Sequence, residues 1–172
     1  MKWITWENVG VDRIACAWLI CRCLDPRATF VFVPAGQKPL PPGNTFDIPG
    51  SRYSHHREHC TFYTLLREFD LRDPILQRIA RIVDEADVVQ AVTIEPTAPG
   101  LDLICRGIRL TSPDDTIAIE RGRLIYDALY AQLARDAGLP PTAKAILNKP
   151  DSKSKPKRRR KNEMAHSLAR TR

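Results

Sequence analysis

Hydrophobic and polar positions follow two different periods in the first half of the chain. Residues 2–6 are bulky and alternating, which predicts a short strand, and residues 12–24 carry apolar side chains at helical spacing. Residues 28–33 form a β-branched and aromatic run that is typical of a buried strand. The order strand, helix, strand favours parallel pairing of the two strands. A third short strand is predicted at residues 45–48, after a loop rich in proline.

Helical spacing dominates the second half of the chain. Asp73 offers a capping carboxylate directly before Pro74, and the apolar positions that follow predict a helix from Pro74 to about Val89. Gly138 followed by Pro140 is typical of a helix end. Further helices are predicted at residues 61–69, 101–110 and 113–137. The pattern therefore predicts an α/β or α+β fold that is mostly helical, with a small sheet of about three strands.

The positive charge of the chain is concentrated at its C-terminal end. The formal net charge is +7, but residues 149–172 contain ten Lys or Arg against two acidic residues, so the preceding residues sum to about −1. The high pI therefore does not indicate a basic groove on the folded part. We expect a folded domain at residues 1–138 and a disordered tail rich in proline, lysine and arginine at residues 139–172.

The cysteines and the N-terminal residues indicate a cytoplasmic protein. The five cysteines are odd in number and follow no disulfide framework. The first residues lack the apolar run of a signal peptide, and no later stretch approaches the ~18 apolar residues of a membrane span. We therefore expect reduced thiols, a cytoplasmic location and no membrane partner.

Three of the four histidines and one cysteine fall within residues 54–60. Imidazole and thiolate bind zinc, iron or copper, so His55 with His59 or Cys60 would chelate a metal if the loop folds back on itself. A polar loop that is merely rich in histidine is the alternative, because no second ligand pair stands at a recognisable spacing. The segment predicts a metal or substrate site near His55.

A second group of candidate ligands lies in the helix predicted from Pro74. Asp84 and Asp87 are three residues apart and share a face, whereas Glu85 points elsewhere. A carboxylate turned towards His55 would supply a hard metal ligand or a general base, and a solvated acidic face is the alternative. The candidate ligands for a transition-metal ion are therefore His55, Cys60, Asp84, Glu85 and Asp87.

The start of the first predicted helix is a candidate anion site. Asp12 suits the positive end of the helix dipole, and the amides behind it, together with Arg13, would hold an oxyanion. An ordinary helix cap beside a surface arginine is the alternative. Cys16 and Cys23 lie on the apolar stripe of the same helix, and we expect both in the core.

Five consecutive basic residues occur in the predicted tail. They would neutralise nucleic-acid phosphates, but no aromatic residues are interleaved with them, so the predicted binding has no sequence specificity. A solubilising tail is the alternative. The candidate contacts are Lys157, Arg158, Arg159, Arg160 and Lys161.

Several short motifs follow one another in a distinctive order. They are Val11-Asp12-Arg13-Ile14-Ala15-Cys16, Phe30-Val31-Phe32-Val33-Pro34, Phe46-Asp47-Ile48-Pro49-Gly50, Ser54-His55, Cys60-Thr61-Phe62, and Tyr126-Asp127-Ala128-Leu129-Tyr130. Together they resemble the C-terminal domain of the chromate-resistance protein ChrB family, over roughly residues 2–135. Each motif is short, and their shared order makes the resemblance specific.

The resemblance implies an association with chromate resistance, and longer members of the family act as chromate-responsive transcriptional regulators. Asp12, Arg13 and Asp47 match motifs of the family, whereas His59 does not and is a candidate only as part of the histidine-rich segment. These four are the candidate ligand-binding residues. We therefore expect a sensor or accessory module whose partner is a metal ion or a chromate-like oxyanion. The alternatives are a metal-dependent redox detoxification enzyme and a nucleic-acid-associated regulator acting through the tail.

If the tail binds nucleic acid, deleting residues 149–172 should eliminate binding to duplex DNA, because most of the positive charge is removed with it. Titration of labelled DNA at several salt concentrations measures this. Salt-sensitive binding that survives the deletion would show that the tail is not responsible.

Overall fold

Three parallel strands in the order β2-β1-β3 form the sheet in the computed structural model, which describes residues 1–88 and 94–140. The strands are β1 (Lys2–Trp6), β2 (Thr29–Val33) and β3 (Asn44–Thr45). Trp3 lies opposite Phe30 on one side and Asn44 on the other, so β1 is the central strand. The predicted parallel pairing of the first two strands is confirmed.

The two faces of β1 pack into different hydrophobic groups, as its alternating pattern predicts. Trp3 belongs to the main core and meets the ring of Phe46 edge-on at 6.2 Å between centroids. Ile4 points to the opposite face, where it forms a smaller group with Val33 and Ile48. The sheet is therefore covered on both faces.

The third strand is shorter than the predicted range of residues 45–48. The backbone N–H of Phe46 still donates to the carbonyl of Ile4 at 3.0 Å, but Asp47 adopts a left-handed conformation with φ of 50°. An extended strand cannot continue through such a residue. The chain therefore turns at Asp47.

Five helices are present in the described residues. They are α1 (Val11–Leu19), which continues as a π-helical turn (Ile20–Leu24), α2 (Thr61–Glu68), α3 (Pro74–Asp87), α4 (Ala98–Thr111) and α5 (Asp115–Asp136). The predicted mostly helical fold with a small sheet is confirmed. In the described part of the chain, no helix combines the length and the apolar character that crossing a membrane requires. Residues 141–172, including the basic run of the tail, lie outside the described residues.

Two helix starts show how local chemistry sets the boundaries. The Asp73 carboxylate accepts the backbone N–H groups of Ile75 and Leu76, at 2.7 and 3.2 Å, which confirms the predicted cap of α3. The last helix begins two residues later than predicted, because Asp114 is its cap and accepts the N–H of Ile117 at 2.9 Å.

The predicted start of α4 at Leu101 is wrong by three residues, because the helix already begins at Ala98. Pro99 lies in the first turn, where backbone N–H groups have no partner within the helix, so proline removes no hydrogen bond there. Pro99 is therefore compatible with the first turn of α4.

Helix α1 is the central element of the core. All of its residues except Arg13 are buried. Trp18 packs against Phe62 of α2 and Tyr126 of α5, with ring centroids 6.4 and 5.7 Å apart. Cys16 and Cys23 are buried, as predicted. Because α1 follows β1, the first turn of α1 lies at the carboxyl edge of the sheet.

The close packing of α1 against α5 depends on a glycine. A Cβ at Gly122 would lie 2.2 Å from the Cγ2 atom of Ile14, whereas a Cβ at Gly107 of α4 would meet no atom within 4 Å. Both glycines lie within helices, where alanine has the higher intrinsic propensity.

Gly122→Ala should therefore destabilise the protein by about 1–3 kcal/mol through overpacking, despite the better helix propensity of alanine. Gly107→Ala is the matched control and should stabilise the fold by roughly 0.5–1 kcal/mol. Urea unfolding at low protein concentration measures both changes. Equal effects of the two substitutions would contradict the packing of α1 against α5.

Candidate metal centre

A single imidazole nitrogen lies among three carboxylates. Nε2 of His55 is 3.2 Å from one oxygen of each of Asp12, Asp47 and Asp87. These residues come from the first turn of α1, the turn after β3 and the last residue of α3. We call Asp12, Asp47, His55 and Asp87 the aspartate–histidine cluster. It is assembled from segments far apart in sequence.

The topology of the sheet explains why two of these side chains meet. The chain leaves β1 towards Asp12, and β3 ends just before Asp47, so both residues follow the carboxyl ends of adjacent parallel strands. The connection after β1 leads to β2 on one side of β1, and the connection after β2 leads to β3 on the opposite side. The order of the strands therefore switches between β1 and β3. Ligand sites of open parallel sheets form in the crevice at such a position.

Asp12 is almost completely buried, with 1% of its surface exposed. Its carboxylate accepts the backbone N–H groups of Thr61 and Phe62, at 2.8 and 2.9 Å, and the thiol of Cys16 at 3.4 Å. Thr61 and Phe62 are the first two residues of α2, where amides lack partners within the helix and the helix dipole is positive. A side chain of α1 thus satisfies the N-terminus of α2.

The charges of the cluster shift the protonation of its members. Burial raises the pKa of the Asp12 carboxyl, His55 lowers it, and the negative charges of Asp47 and Asp87 raise it again, with a net rise. Hydrogen bonding to Asp12, then to Asp47 and Asp87, raises the pKa of His55 to about 12. The protonated imidazole therefore serves as a cation for the three carboxylates.

Two neighbours orient the carboxylate of Asp47. Arg13 Nε lies 2.8 Å from one oxygen, and the hydroxyl of Thr61 donates to the other at 2.7 Å. Arg13 also donates to the carbonyls of Glu7 and Asn8, at 3.3 and 3.2 Å. An oxyanion-binding role was predicted for this guanidinium, which instead contacts Asp47 and the loop before α1.

Asp84 has different partners from those predicted. One of its oxygens accepts the backbone N–H of Cys60 at 2.6 Å, and the other lies 2.8 Å from Nδ1 of His59. The imidazole of His59 stacks on Tyr63, with 4.3 Å between ring centroids. Asp84 and His59 therefore form a pair of their own beside the N-terminus of α2.

Glu85 and Cys60 are likewise engaged elsewhere. Glu85 accepts the backbone N–H groups of Ile94 and Glu95, both at 2.9 Å. Cys60 is fully buried, and burial, followed by the charge of Asp12, raises the pKa of its thiol well above the ordinary value. Both conditions disfavour the thiolate that a metal ligand requires.

The predicted ligand set therefore shifts. Within the described residues, the ligand atoms of Asp12, His55 and Asp87 lie within 4.8 Å of one another, a spacing that suits one metal ion. His55 and Asp87 belonged to the predicted metal ligands, whereas Asp12 and Asp47 were predicted only as ligand-binding residues. Thr61 was not predicted at all, and its one sequence signal is a hydroxyl residue at the start of a predicted helix.

An open cleft of about 490 Å³ lies beside the cluster. Asp47, His55 and Asp87 line it together with Trp6 and Arg13. The buried carboxylate of Asp12 is not among the lining residues. A small molecule in the cleft would thus reach three of the four cluster residues directly.

Thiol reactivity tests the environment of the cysteines. Cys21 is half-buried, whereas the other four are buried and the pKa of each thiol is raised by burial first. Iodoacetamide should modify Cys21 slowly in the folded protein, and the remaining cysteines only after unfolding. Mass spectrometry of the digested protein measures this, and rapid alkylation of Cys60 would contradict its placement.

Comparison with known proteins agrees with the family resemblance of the sequence motifs. The sequence pattern of the ChrB C-terminal domain matches residues 3–133. Protein ChrB of Cupriavidus metallidurans is 31% identical over 134 residues, which cover 77% of this chain and 41% of that protein. No solved structure matches the chain. The chain therefore belongs to the ChrB C-terminal domain family.

Proposed function

We propose that the aspartate–histidine cluster binds a divalent transition-metal cation, and that the domain is a metal-binding sensor or accessory module in chromate resistance. One observation carries the proposal, namely three carboxylate oxygens from separate segments at 3.2 Å from Nε2 of His55. A single N–H group donates well to one acceptor, so three acceptors exceed what the imidazole needs. A metal ion would bind more than one of these oxygens at once.

The spacing of Asp12, His55 and Asp87 supports a shared ion, and an oxygen of Asp47 lies 3.2 Å from Nε2 of the same imidazole. Bonds of about 2.1 Å at right angles place neighbouring ligand atoms about 3.0 Å apart. The observed separations of 3.2 Å are close to this value, so small side-chain adjustments would bring the ligand atoms around a cation, which would also have to displace the Nε2 proton of His55. Asp12 and Asp47 are already oriented by hydrogen bonds to α2, which reduces the entropy that binding costs.

The charge of the cluster favours a cation over an oxyanion. Three carboxylates converge on the site, and a chromate-like dianion would be repelled by all of them. The positive charge of Arg13, which would attract an anion, is 2.8 Å from Asp47. Within the two predicted ligand classes, the geometry thus supports a metal ion.

The donor types favour a relatively hard ion. Three carboxylates and one imidazole suit Mn²⁺ or Fe²⁺, whereas Cu⁺ selects thiolate ligands. Cys16 and Cys60 adjoin the cluster, but burial raises the pKa of both thiols, so they are poor ligands at neutral pH. We therefore take Mn²⁺ and Fe²⁺ as the first ions to test.

Family membership supports the role in chromate resistance. The chain spans about 41% of the ChrB relative that it matches, so a regulatory activity of that longer protein is a proposal for this chain. A sensor module would respond to the bound metal, whereas an accessory module would supply it.

A metal-dependent redox enzyme is the second candidate function. The cleft beside Asp47, His55 and Asp87 favours it, because a bound ion would be open to a small substrate on that side. Turnover of chromate, peroxide or superoxide by the metal-loaded protein would support the enzyme, and tight metal binding without turnover would support the binding module.

Metal binding should raise the melting temperature of the protein purified without an affinity tag. Mn²⁺ or Fe²⁺ at a hundredfold excess over its dissociation constant should stabilise the fold by about 2.7 kcal/mol, which corresponds to several degrees. Elemental analysis and isothermal titration then give the stoichiometry, expected to be one ion per chain.

Two ligand variants and one control sharpen this experiment. His55→Ala and Asp87→Asn should abolish the metal-dependent shift, each measured against its own metal-free melting temperature. His56→Ala should retain it, because His56 lies in the same loop but Nε2 of that ring faces the carbonyl of Arg52, at 3.4 Å, and not the cluster. A shift that persists in both ligand variants, or no shift with any tested ion, would refute the metal site.

A further inference from the structure

The outer face of α4 is unusually apolar for a surface. Leu103, Ile104 and Leu110 are 69%, 48% and 79% exposed, although the opposite face of the helix buries Leu101 and Cys105 in the core. A surface helix of a monomer normally carries polar residues on its outer side. Clustered exposed leucines indicate a contact with another molecule.

Two glycines on the same face have no packing partner among the residues that the structure describes. A Cβ at Gly100 or Gly107 would meet no atom within 4 Å. A Cβ at Gly122, in contrast, would clash with the side chain of Ile14. Glycine in the interior of a helix is less favourable than alanine. Contacts within residues 1–88 and 94–140 therefore give no reason for Gly107, which suits the close approach of another molecule.

The leucines and glycines alternate at a regular spacing. Gly100, Leu103, Gly107 and Leu110 are separated by three, four and three residues, which is the seam of a helix pair. Read in the opposite direction, the order becomes Leu, Gly, Leu, Gly. Two antiparallel copies of α4 therefore place every leucine beside a glycine of the other copy, so the seam is complementary to itself.

We propose that the outer face of α4 pairs antiparallel with the same face of α4 in a second copy of this chain, about a two-fold axis at the level of residue 105 along the helix. Leu103 packs over Gly107 of the second copy, and Leu110 over Gly100. Ile104 meets its own equivalent close to the axis. A two-fold axis repeats each contact twice, as in most homodimers.

Charges on one flank of the seam match this pairing. Asp102 and Arg106 form an ion pair within α4, one helical turn apart. The two-fold axis places Asp102 beside Arg106 of the second copy, and Arg106 beside Asp102 of the second copy. The flank is thus complementary in charge as well as in shape, which favours a second copy over an unrelated apolar partner.

The expected dimer is weak. One pair of helices of 14 residues each forms an interface at the small end of the range for specific complexes. We expect a dissociation constant on the order of micromolar. None of the aspartate–histidine cluster lies on α4, so the metal proposal and this one are independent.

Sedimentation velocity of the full chain over a range of concentrations tests the dimer. Leu103→Lys should make the protein monomeric at every concentration, because it places two charges at the seam. Leu124→Lys on α5 is the matched control, since Leu124 is also 69% exposed but lies outside the seam, and the dimer should persist.

Gly107→Ala separates association from folding. It should raise the melting temperature of the monomer through helix propensity, while weakening the dimer at least about tenfold because the added methyl group blocks Leu103 of the second copy. Asp102→Arg should also weaken the dimer, and Asp102→Arg combined with Arg106→Asp should restore it.

Three results would overturn the proposal. The first is a monomer up to the highest soluble concentration. The second is equal dissociation by Leu103→Lys and Leu124→Lys, which would place the interface elsewhere. The third is a monomer that becomes a dimer only after residues 141–172 are deleted, which would show that the chain's own C-terminal segment covers the seam.

Discussion

The contact on which the rest of the structure depends is the buried carboxylate of Asp12 at the N-terminus of α2. A charge at this depth is costly unless hydrogen bonds and opposite charges compensate for it. The amides of Thr61 and Phe62, the positive end of the α2 dipole and the imidazole of His55 provide this compensation. Because Asp12 belongs to α1, the same contact joins the central helix to α2.

This contact also explains how one residue supports both the fold and the proposed ion. The oxygens of Asp12 that cap α2 lie beside His55, and Thr61 links the start of α2 to Asp47. Any ion bound by the cluster would therefore be connected to α1, α2, α3 and the edge of the sheet. The proposed metal loading would be coupled to the stability of the fold through these hydrogen bonds, as a module that reports the presence of a metal requires.

The surface of α4 follows a different physical principle. Its inner side contributes Leu101 and Cys105 to the core, whereas its outer side presents leucines and glycines to solvent. The proposed metal site depends on buried charge, and the proposed seam depends on apolar contact between copies. The two features lie on separate elements, so the proposed association and the proposed metal binding should respond independently to substitution.

The sequence by itself determined the strands β1 and β2, their parallel pairing, the positions of the helices to within a few residues and the cap at Asp73, because these depend on short-range periodicity and local hydrogen bonds. It also singled out His55, Asp87, Asp12 and Asp47. Only the tertiary structure decided that these four meet, while Asp84 pairs with His59 and Glu85 with the backbone at Ile94. The direction of a carboxylate on a helix depends on which distant amides and cations lie beside it, and that information is absent from the spacing of residues along the chain.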